Sequence, residues 1–144
     1  MPDGRTNAAD VGLLILRLGV GTIFLLIHGW PKLAAGPQMW DQVGSATGFV
    51  GVTFAPRFFG FAAAISESLG GFLFAAGLLF RPACFLLLCV MIVATALHLG
   101  MGDGVAVASN PMKLGFVFLG LMIAGPGRLS LRRYVPYLRD SIIG

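Results

Sequence analysis

The chain has 144 residues, of which 57% are hydrophobic and only 11% are charged, and its formal net charge is +4. Together with a mean hydropathy of +0.88, this composition excludes a soluble globular domain of this size. The basic residues follow no nucleic-acid-binding pattern, so the expected partner is the lipid bilayer and not nucleic acid.

Four apolar segments predict four membrane spans, at about residues 11–30, 58–80, 83–99 and 111–125. We therefore predict an all-α fold, an integral membrane four-helix bundle over residues 11–131, with an N-terminal tail at 1–10 and a basic tail at 132–144. The first segment carries an arginine in its first third, which argues for a retained span and against a cleaved secretory signal.

Capping residues and prolines suggest where the first and last spans begin and end. Asp10 is a candidate N-cap for the first helix, and Pro31 is expected to end it. The apolar run at 112–124 would rise only ~20 Å as a helix. The fourth helix must therefore begin at Pro111 or earlier, continue past Gly125, or thin the bilayer. Asn110 followed by Pro111 is typical of an N-cap and a first-turn proline.

The connection at residues 33–56 is the longest between two spans and is rich in small and polar residues. A connection of this length is either functional or mobile, so we interpret it as a lid or an interfacial segment with a short helix at 38–43. By contrast, a tight turn is expected at 80–82, which makes the second and third spans an antiparallel hairpin.

The distribution of positive charge favours one orientation, because lysine and arginine near span ends stay cytoplasmic. With four spans both termini share a side. That side would hold six basic residues, Arg5, Arg81, Arg128, Arg132, Arg133 and Arg139, against three on the other side, Lys32, Arg57 and Lys113. We therefore predict that both termini are cytoplasmic and that the chain is a multi-pass protein of the cell inner (cytoplasmic) membrane.

A glutamate, Glu67, lies near the middle of the second apolar segment. An ionised carboxylate in hydrocarbon costs about 2.5–3.5 kcal/mol even on permissive insertion scales, so Glu67 must face protein, water, a ligand or an opposite charge. Arg17 in the first segment is the candidate partner, because an arginine side chain can bridge their ~6 Å difference in depth. We predict that Arg17 and Glu67 form a central polar site with a catalytic role. The alternative is a structural ion pair that fixes the helix register.

Helical spacing places further candidate residues near this pair. Two residues of the first span share a stripe with Arg17, and two glycines lie in a stripe of small residues around Glu67. A histidine near the outer end of the third span lies at the level of the histidine in the first. The predicted ligand-binding residues are Phe24, His28, Gly70, Gly71 and His98. For the two histidines, the alternative is hydrogen bonding to the backbone at the interface.

A groove of this kind suits a flat, apolar molecule with polar ends. A quinone ring needs an apolar slot and a donor or acid–base group at each carbonyl, and small residues beside a glutamate with histidine at the rim supply those types. Quinone is therefore the expected cofactor. Haem is not expected, although facing histidines can ligate iron, because the sequence offers no second set of ligands and no porphyrin pocket.

The two cysteines, Cys84 and Cys89, lie five residues apart in the third span. They fall on different faces of one helix, so they cannot form an ordinary disulfide. We interpret both as small core residues, and we predict no metal site.

Short motifs follow one another in a fixed order along most of the chain. They are Leu-Arg-Leu-Gly at 16–19, Ile-His-Gly at 27–29 with Lys32, Glu-Ser-Leu-Gly-Gly at 67–71, Gly-Leu-Leu-Phe-Arg at 77–81, His98, and Gly-Pro-Gly-Arg-Leu-Ser at 125–130. Their order and spacing resemble the DoxX family of small four-helix membrane proteins, over about residues 11–131.

The resemblance implies a four-helix membrane bundle. The family includes proteins like the small subunit of an archaeal thiosulfate:quinone oxidoreductase, and others associated with membrane redox homeostasis and resistance to oxidative stress. Motif positions carry over onto Arg17, His28, Glu67 and His98, without a catalytic assignment. The chain has no cysteine motif and no separate catalytic domain, so any electron donor must be a partner protein or a small molecule.

The function we predict is an integral membrane component of a redox system, linked to quinone or quinol, that contributes to electron transfer or redox homeostasis as a subunit of an oxidoreductase. Two alternatives stay open. One is a non-catalytic accessory or anchor subunit of a membrane oxidoreductase complex, and the other is a carrier of a small molecule or a proton. The small-residue stripes also permit a homo-oligomer.

Overall fold

The computed structural model describes residues 7–135 and residue 137. Within these residues there is no strand, and four helical spans are long and apolar enough to cross a membrane: Ala8–Ala35, Pro56–Ala76, Phe80–Met101 and Val105–Ala124. The predicted all-α, four-helix membrane fold is therefore confirmed. Most of the predicted tails, at 1–10 and 132–144, lies outside the described residues, and the side of the membrane that holds the termini stays a prediction.

The first span consists of α1 (Ala8–Ile23), a π-helical segment (Phe24–Gly29) and α2 (Trp30–Ala35). Asp10 is not its N-cap as predicted. Asn7 caps the helix, and Asp10 closes a capping box with it through hydrogen bonds of 2.9 and 3.2 Å. The prediction that Pro31 ends the helix is also wrong. Pro31 lies in the first turn of α2, where its missing N–H is tolerated, and the π-helical turn before it continues the span.

The long connection holds α3 (Pro37–Gly44) and a 3-10 helix (Ser45–Val50), which confirms the short helix predicted at 38–43. It packs closely on the second span, since a Cβ on Gly44 would overlap the carbonyl oxygen of Pro56. At its exposed edge the Asp41 carboxylate accepts hydrogen bonds from Arg57, the shortest at 2.6 Å, and these lower the pKa of Asp41. The connection is thus a packed part of the fold, at what we call the α3 end of the bundle.

The second and third spans, α4 (Pro56–Ala76) and α5 (Phe80–Met101), form the predicted antiparallel hairpin. Its turn lies at Gly77–Leu79, just before the expected position at 80–82. Gly77 takes the left-handed conformation that ends a helix, with φ 69°, and Leu79 adopts φ 42°. Arg81 and Pro82 consequently belong to the first turn of α5, where proline is tolerated.

The fourth span, α6 (Val105–Ala124), begins earlier than Pro111, one of the options that its short apolar run left open. The N-cap prediction for Asn110 is wrong, because Asn110 and Pro111 both lie inside the helix. A membrane helix tolerates an internal proline when neighbouring groups satisfy the freed backbone carbonyl. The early start lengthens the span to 20 residues. This is enough to cross the hydrocarbon core without thinning the bilayer.

The hydrophobic core lies towards the end of the bundle opposite α3. Phe118 of α6 packs edge-on against Phe24 and Phe74, with ring centroids 5.3 and 5.4 Å apart, and Phe74 stacks on Phe80 at 5.1 Å. Cys84 is fully buried in this cluster. Cys89 is exposed, so the interpretation of both cysteines as core residues is right for Cys84 and wrong for Cys89.

Candidate functional site

A cavity of about 890 Å³ occupies the α3 end of the bundle. All four spans and the α3 connection contribute to its walls, which are mainly aliphatic and aromatic. Its polar lining residues are His28, Lys32, Gln42, Ser45, Thr47, Ser66, Glu67, His98 and Asn110. A cavity of this volume, apolar with a few polar groups, has the properties of a small-molecule site.

Glu67 lines this cavity and is only 2% exposed. Its partner is Lys32, whose Nζ lies 2.5 Å from Glu67 Oε2. The approach of the first span to α4 makes this pairing possible: a Cβ on Gly29 would overlap the backbone of Ser68. The lysine is three residues beyond that contact, so its side chain reaches back to the glutamate.

Lys32 is held in place from both ends. Its backbone carbonyl accepts a hydrogen bond of 2.9 Å from the indole N–H of Trp40, and its ammonium group is bound to Glu67. An ammonium has three N–H donors and a carboxylate has two oxygens. Among residues 7–135 this pair uses one donor and one oxygen for each other. Further N–H donors and Glu67 Oε1 thus stay available beside the cavity.

The predicted pair between Arg17 and Glu67 is wrong. Arg17 is fully buried at the opposite end, where its guanidinium packs against Gly77 and donates a hydrogen bond to the Leu129 carbonyl. Gly77 is ten residues beyond Glu67 at the end of α4, so the two charged groups are separated by ~15 Å along the helix axis. The sequence argument failed because it assumed that the first span ends at Trp30, at the outer interface. In the structure Gly29 is level with Ser68 and the span continues to Ala35, so Lys32 reaches Glu67 and Arg17 does not.

Arg17 instead helps to fix the segment that follows α6. Besides its bond to Leu129, the same region is held by Asp10, whose Oδ1 accepts a hydrogen bond of 2.9 Å from the Arg128 backbone N–H. Both residues of α1 thereby bind the chain at 125–130. The motif at these positions forms a structural attachment between the first span and the end of the fourth.

The two histidines line the same cavity, and their role in binding a ligand stays a prediction. His28 belongs to the π-helical segment, and its ring lies 5.4 Å from that of Phe24, which also lines the cavity. π-helical turns are frequent at functional sites because they change the direction of side chains. His98 lies on the opposite wall, and its Nδ1 is 2.7 Å from Asp103 Oδ2 in the turn after α5.

The two glycines predicted to bind the ligand, Gly70 and Gly71, do not line the cavity. A Cβ on Gly71 would lie 2.9 Å from the Leu25 backbone nitrogen, and one on Gly70 would lie 3.7 Å from Leu87. Gly71 therefore allows close packing of α4 on the first span, and Gly70 allows close packing of α4 on α5. The wall that α4 presents to the cavity consists instead of Phe59, Ala62, Ala63, Ser66 and Glu67.

Sequence reasoning missed Lys32 as the partner of Glu67. It assigned Lys32 to the interface because Pro31 was expected to end the helix. The signal was nevertheless present, since Phe24, His28 and Lys32 follow one another at intervals of four residues. A helix that continues past the proline places all of them on one stripe.

Comparison with protein families identifies the family of this chain. The sequence model of the DoxX family matches residues 12–100. This region covers the first three spans and includes Lys32, Glu67 and both histidines. No curated protein and no solved structure matches the chain.

Proposed function

The chain belongs to the DoxX family, and on that premise we propose that it binds a quinone or quinol in the cavity at the α3 end, as a component of a membrane redox system. The protein is a multi-pass membrane protein. We place it in the cytoplasmic membrane with both termini in the cytoplasm, in keeping with the charge distribution.

The observation that carries this proposal is the Lys32–Glu67 pair at the wall of a large apolar cavity. Placing a charged group inside a membrane protein is costly. A purely structural ion pair would need no large cavity beside it. The unused donors of Lys32 and the free oxygen of Glu67 match the polar edge of a quinone ring, while the aliphatic wall matches its faces.

A bound quinone would supply the two-electron chemistry, and its reduction to the quinol takes up two electrons and two protons. Lys32 would donate a hydrogen bond to a ring oxygen. Glu67 would accept a proton from a ring hydroxyl or return one to a ring oxygen, the acid–base step that a carboxyl group within hydrogen-bonding reach of the ring can supply. We propose that the electrons come from a partner oxidoreductase or a small molecule.

The test is binding of a benzoquinone with a ten-carbon tail to the purified protein and to its Glu67→Gln variant. We expect about tenfold weaker binding in the variant, because an amide cannot exchange the proton and no longer pairs with Lys32 as a charge. The matched control is Asp41→Asn, which neutralises a carboxylate outside the cavity and should bind as wild type. Unchanged binding by Glu67→Gln would reject the proposal.

The alternatives give different results in related experiments. A protein that binds no quinone but co-purifies with an oxidoreductase would be an accessory subunit or anchor. Solute or proton flux in proteoliposomes that depends on Glu67 would indicate a carrier. An absorption spectrum of the purified protein without a Soret band would agree with the expectation that it holds no haem.

A further inference from the structure

The cavity wall on α5 extends beyond the polar site to residues on the outer surface of the bundle. Its lining residues there follow one helical stripe, Leu86, Cys89, Val90, Val93, Leu97 and Met101. Leu86 is 42% exposed, and Cys89 is also exposed. One continuous face of α5 thus passes from the cavity interior to the surface that a membrane helix presents to lipid.

The 3-10 helix Ser45–Val50 packs on α5 over the outer part of this stripe, although Met101 at its end stays 62% exposed. Ala46 and Thr47 line the cavity, and Phe49 lies directly on Gly100 near the end of α5. Cys89 is 11 residues before Gly100, which places it ~16 Å further from the α3 end along the helix axis. The 3-10 helix therefore ends before it reaches Leu86 and Cys89, and these two residues are exposed.

The uncovered part lies at the depth of the polar site. A Cβ on Gly70 would be 3.7 Å from Leu87, so these two positions of the antiparallel helices are level with each other. Three residues along each helix towards the α3 end, Glu67 is level with Val90. Cys89 is thus within ~2 Å of the depth of Glu67.

From these observations we infer that the cavity opens sideways to the bilayer between α4 and α5, beside Leu86 and Cys89, and that this opening holds the apolar tail of the ligand. The inference rests on the proposed function and adds to it the chemical class of the ligand. The ligand carries a long hydrocarbon chain and reaches the Lys32–Glu67 pair from the hydrocarbon core. Its ring lies in the cavity while its tail extends through the opening into lipid.

The first test compares two probes, a benzoquinone with a ten-carbon tail and the same ring with a methyl group in place of the tail. A bulky side chain in Cys89→Trp should fill the opening and weaken binding of the tailed probe about tenfold, as expected when a few methylenes lose their contacts. Binding of the short probe should change less than about twofold. The matched control is Phe85→Trp, because Phe85 is 54% exposed on the same helix and does not line the cavity.

The second test needs no substitution and uses the native cysteines in liposomes. A lipid-soluble diazirine, whose carbene inserts without needing a thiolate, should label Cys89 and leave the buried Cys84 unlabelled, as read by peptide mass spectrometry. The tailed quinone should protect Cys89, and the short quinone should not.

The outcomes separate this inference from the proposed function. Equal effects of Cys89→Trp and Phe85→Trp, or tailed quinone binding without protection of Cys89, would overturn the opening and leave quinone binding intact. A wild-type protein that binds neither probe would overturn the proposed function, and the inference with it.

Discussion

At the scale of single residues, two basic side chains, a partly buried lysine and a fully buried arginine, act at opposite ends of the bundle. Lys32 pairs with Glu67 at the cavity, and Arg17 binds the Leu129 carbonyl at the opposite end. Lys32 meets an opposite charge. Arg17 meets only a carbonyl, and its Nε and Nη1 are buried without a hydrogen-bond partner among the described residues. The residues at the two ends should therefore respond independently to substitution.

The Lys32–Glu67 pair should show strong coupling in a double-mutant cycle. Lys32→Met or Glu67→Gln alone leaves one polar group without its partner, and we expect each to cost about 2–4 kcal/mol in unfolding free energy. The double variant should cost clearly less than the sum. Thermal unfolding in detergent measures this, and additive losses would show that the two side chains do not interact.

The exposed pair Asp41–Arg57 is the matched comparison for that cycle. Its side chains are 40% and 64% exposed, so solvent screens their attraction. Asp41→Asn and Arg57→Gln should therefore change thermal stability only slightly at neutral pH, alone or together.

Arg17 should act on the far end of the bundle only. In Arg17→Gln the charged hydrogen bond to Leu129 is weakened, so we expect a loss of about 1–3 kcal/mol in stability. Hydrogen exchange should become faster at the backbone N–H of Arg128, and more so in Asp10→Ala, which removes the acceptor of that N–H. Quinone affinity should stay within about twofold of wild type, because the cavity lies at the other end. A loss of quinone affinity as large as that in Glu67→Gln would mean that Arg17 contributes to ligand binding.

At the scale of helices, the sequence located each span but misjudged several ends. Pro31 and Pro111 were both expected at helix boundaries, and both lie within spans. Proline is a boundary signal because it lacks an N–H and crowds the preceding turn. The π-helical turn before Pro31 accommodates the missing N–H and the bulk of the ring, so the helix continues. Such a turn is visible only in the three-dimensional structure.

The contact between α3 and α4 gives a prediction at this scale. Gly44→Ala should destabilise the protein by about 1–3 kcal/mol, because the added methyl would overlap the Pro56 carbonyl and force the helices apart. The control is Gly48→Ala, since a Cβ on Gly48 meets no atom within 4 Å. Thermal unfolding in detergent compares the two. Equal losses would mean that α3 does not pack on α4 as described.

At the scale of the whole molecule, the bundle has a packed end and a hollow end. The phenylalanine cluster fills the end opposite α3, and the cavity lies at the α3 end. Each span passes through both, so a single helix contributes core residues at one end and ligand-site residues at the other. Phe24 lies where the two meet, since it packs on Phe118 and also lines the cavity.

The charge distribution predicts which end faces the cytoplasm. Six basic residues on the side of the termini against three on the other predict that the packed end faces the cytoplasm. An alkaline phosphatase fused at residue 103 should therefore be active outside the cytoplasm, and fusions at residues 79 and 144 should be inactive. Active fusions at 79 and 144 with an inactive one at 103 would show the opposite orientation.

The sequence by itself determined that the chain crosses the membrane four times and that its buried charges need partners, because hydrophobic length and the cost of desolvation depend only on local composition. It also singled out His28 and His98, and both line the cavity. The partner of Glu67 was decided by the tertiary structure. Which basic residue meets it depends on the rotation and relative depth of two helices, and these are set by the close contact of Gly29 with Ser68 and by a π-helical turn that carries the first span past Pro31.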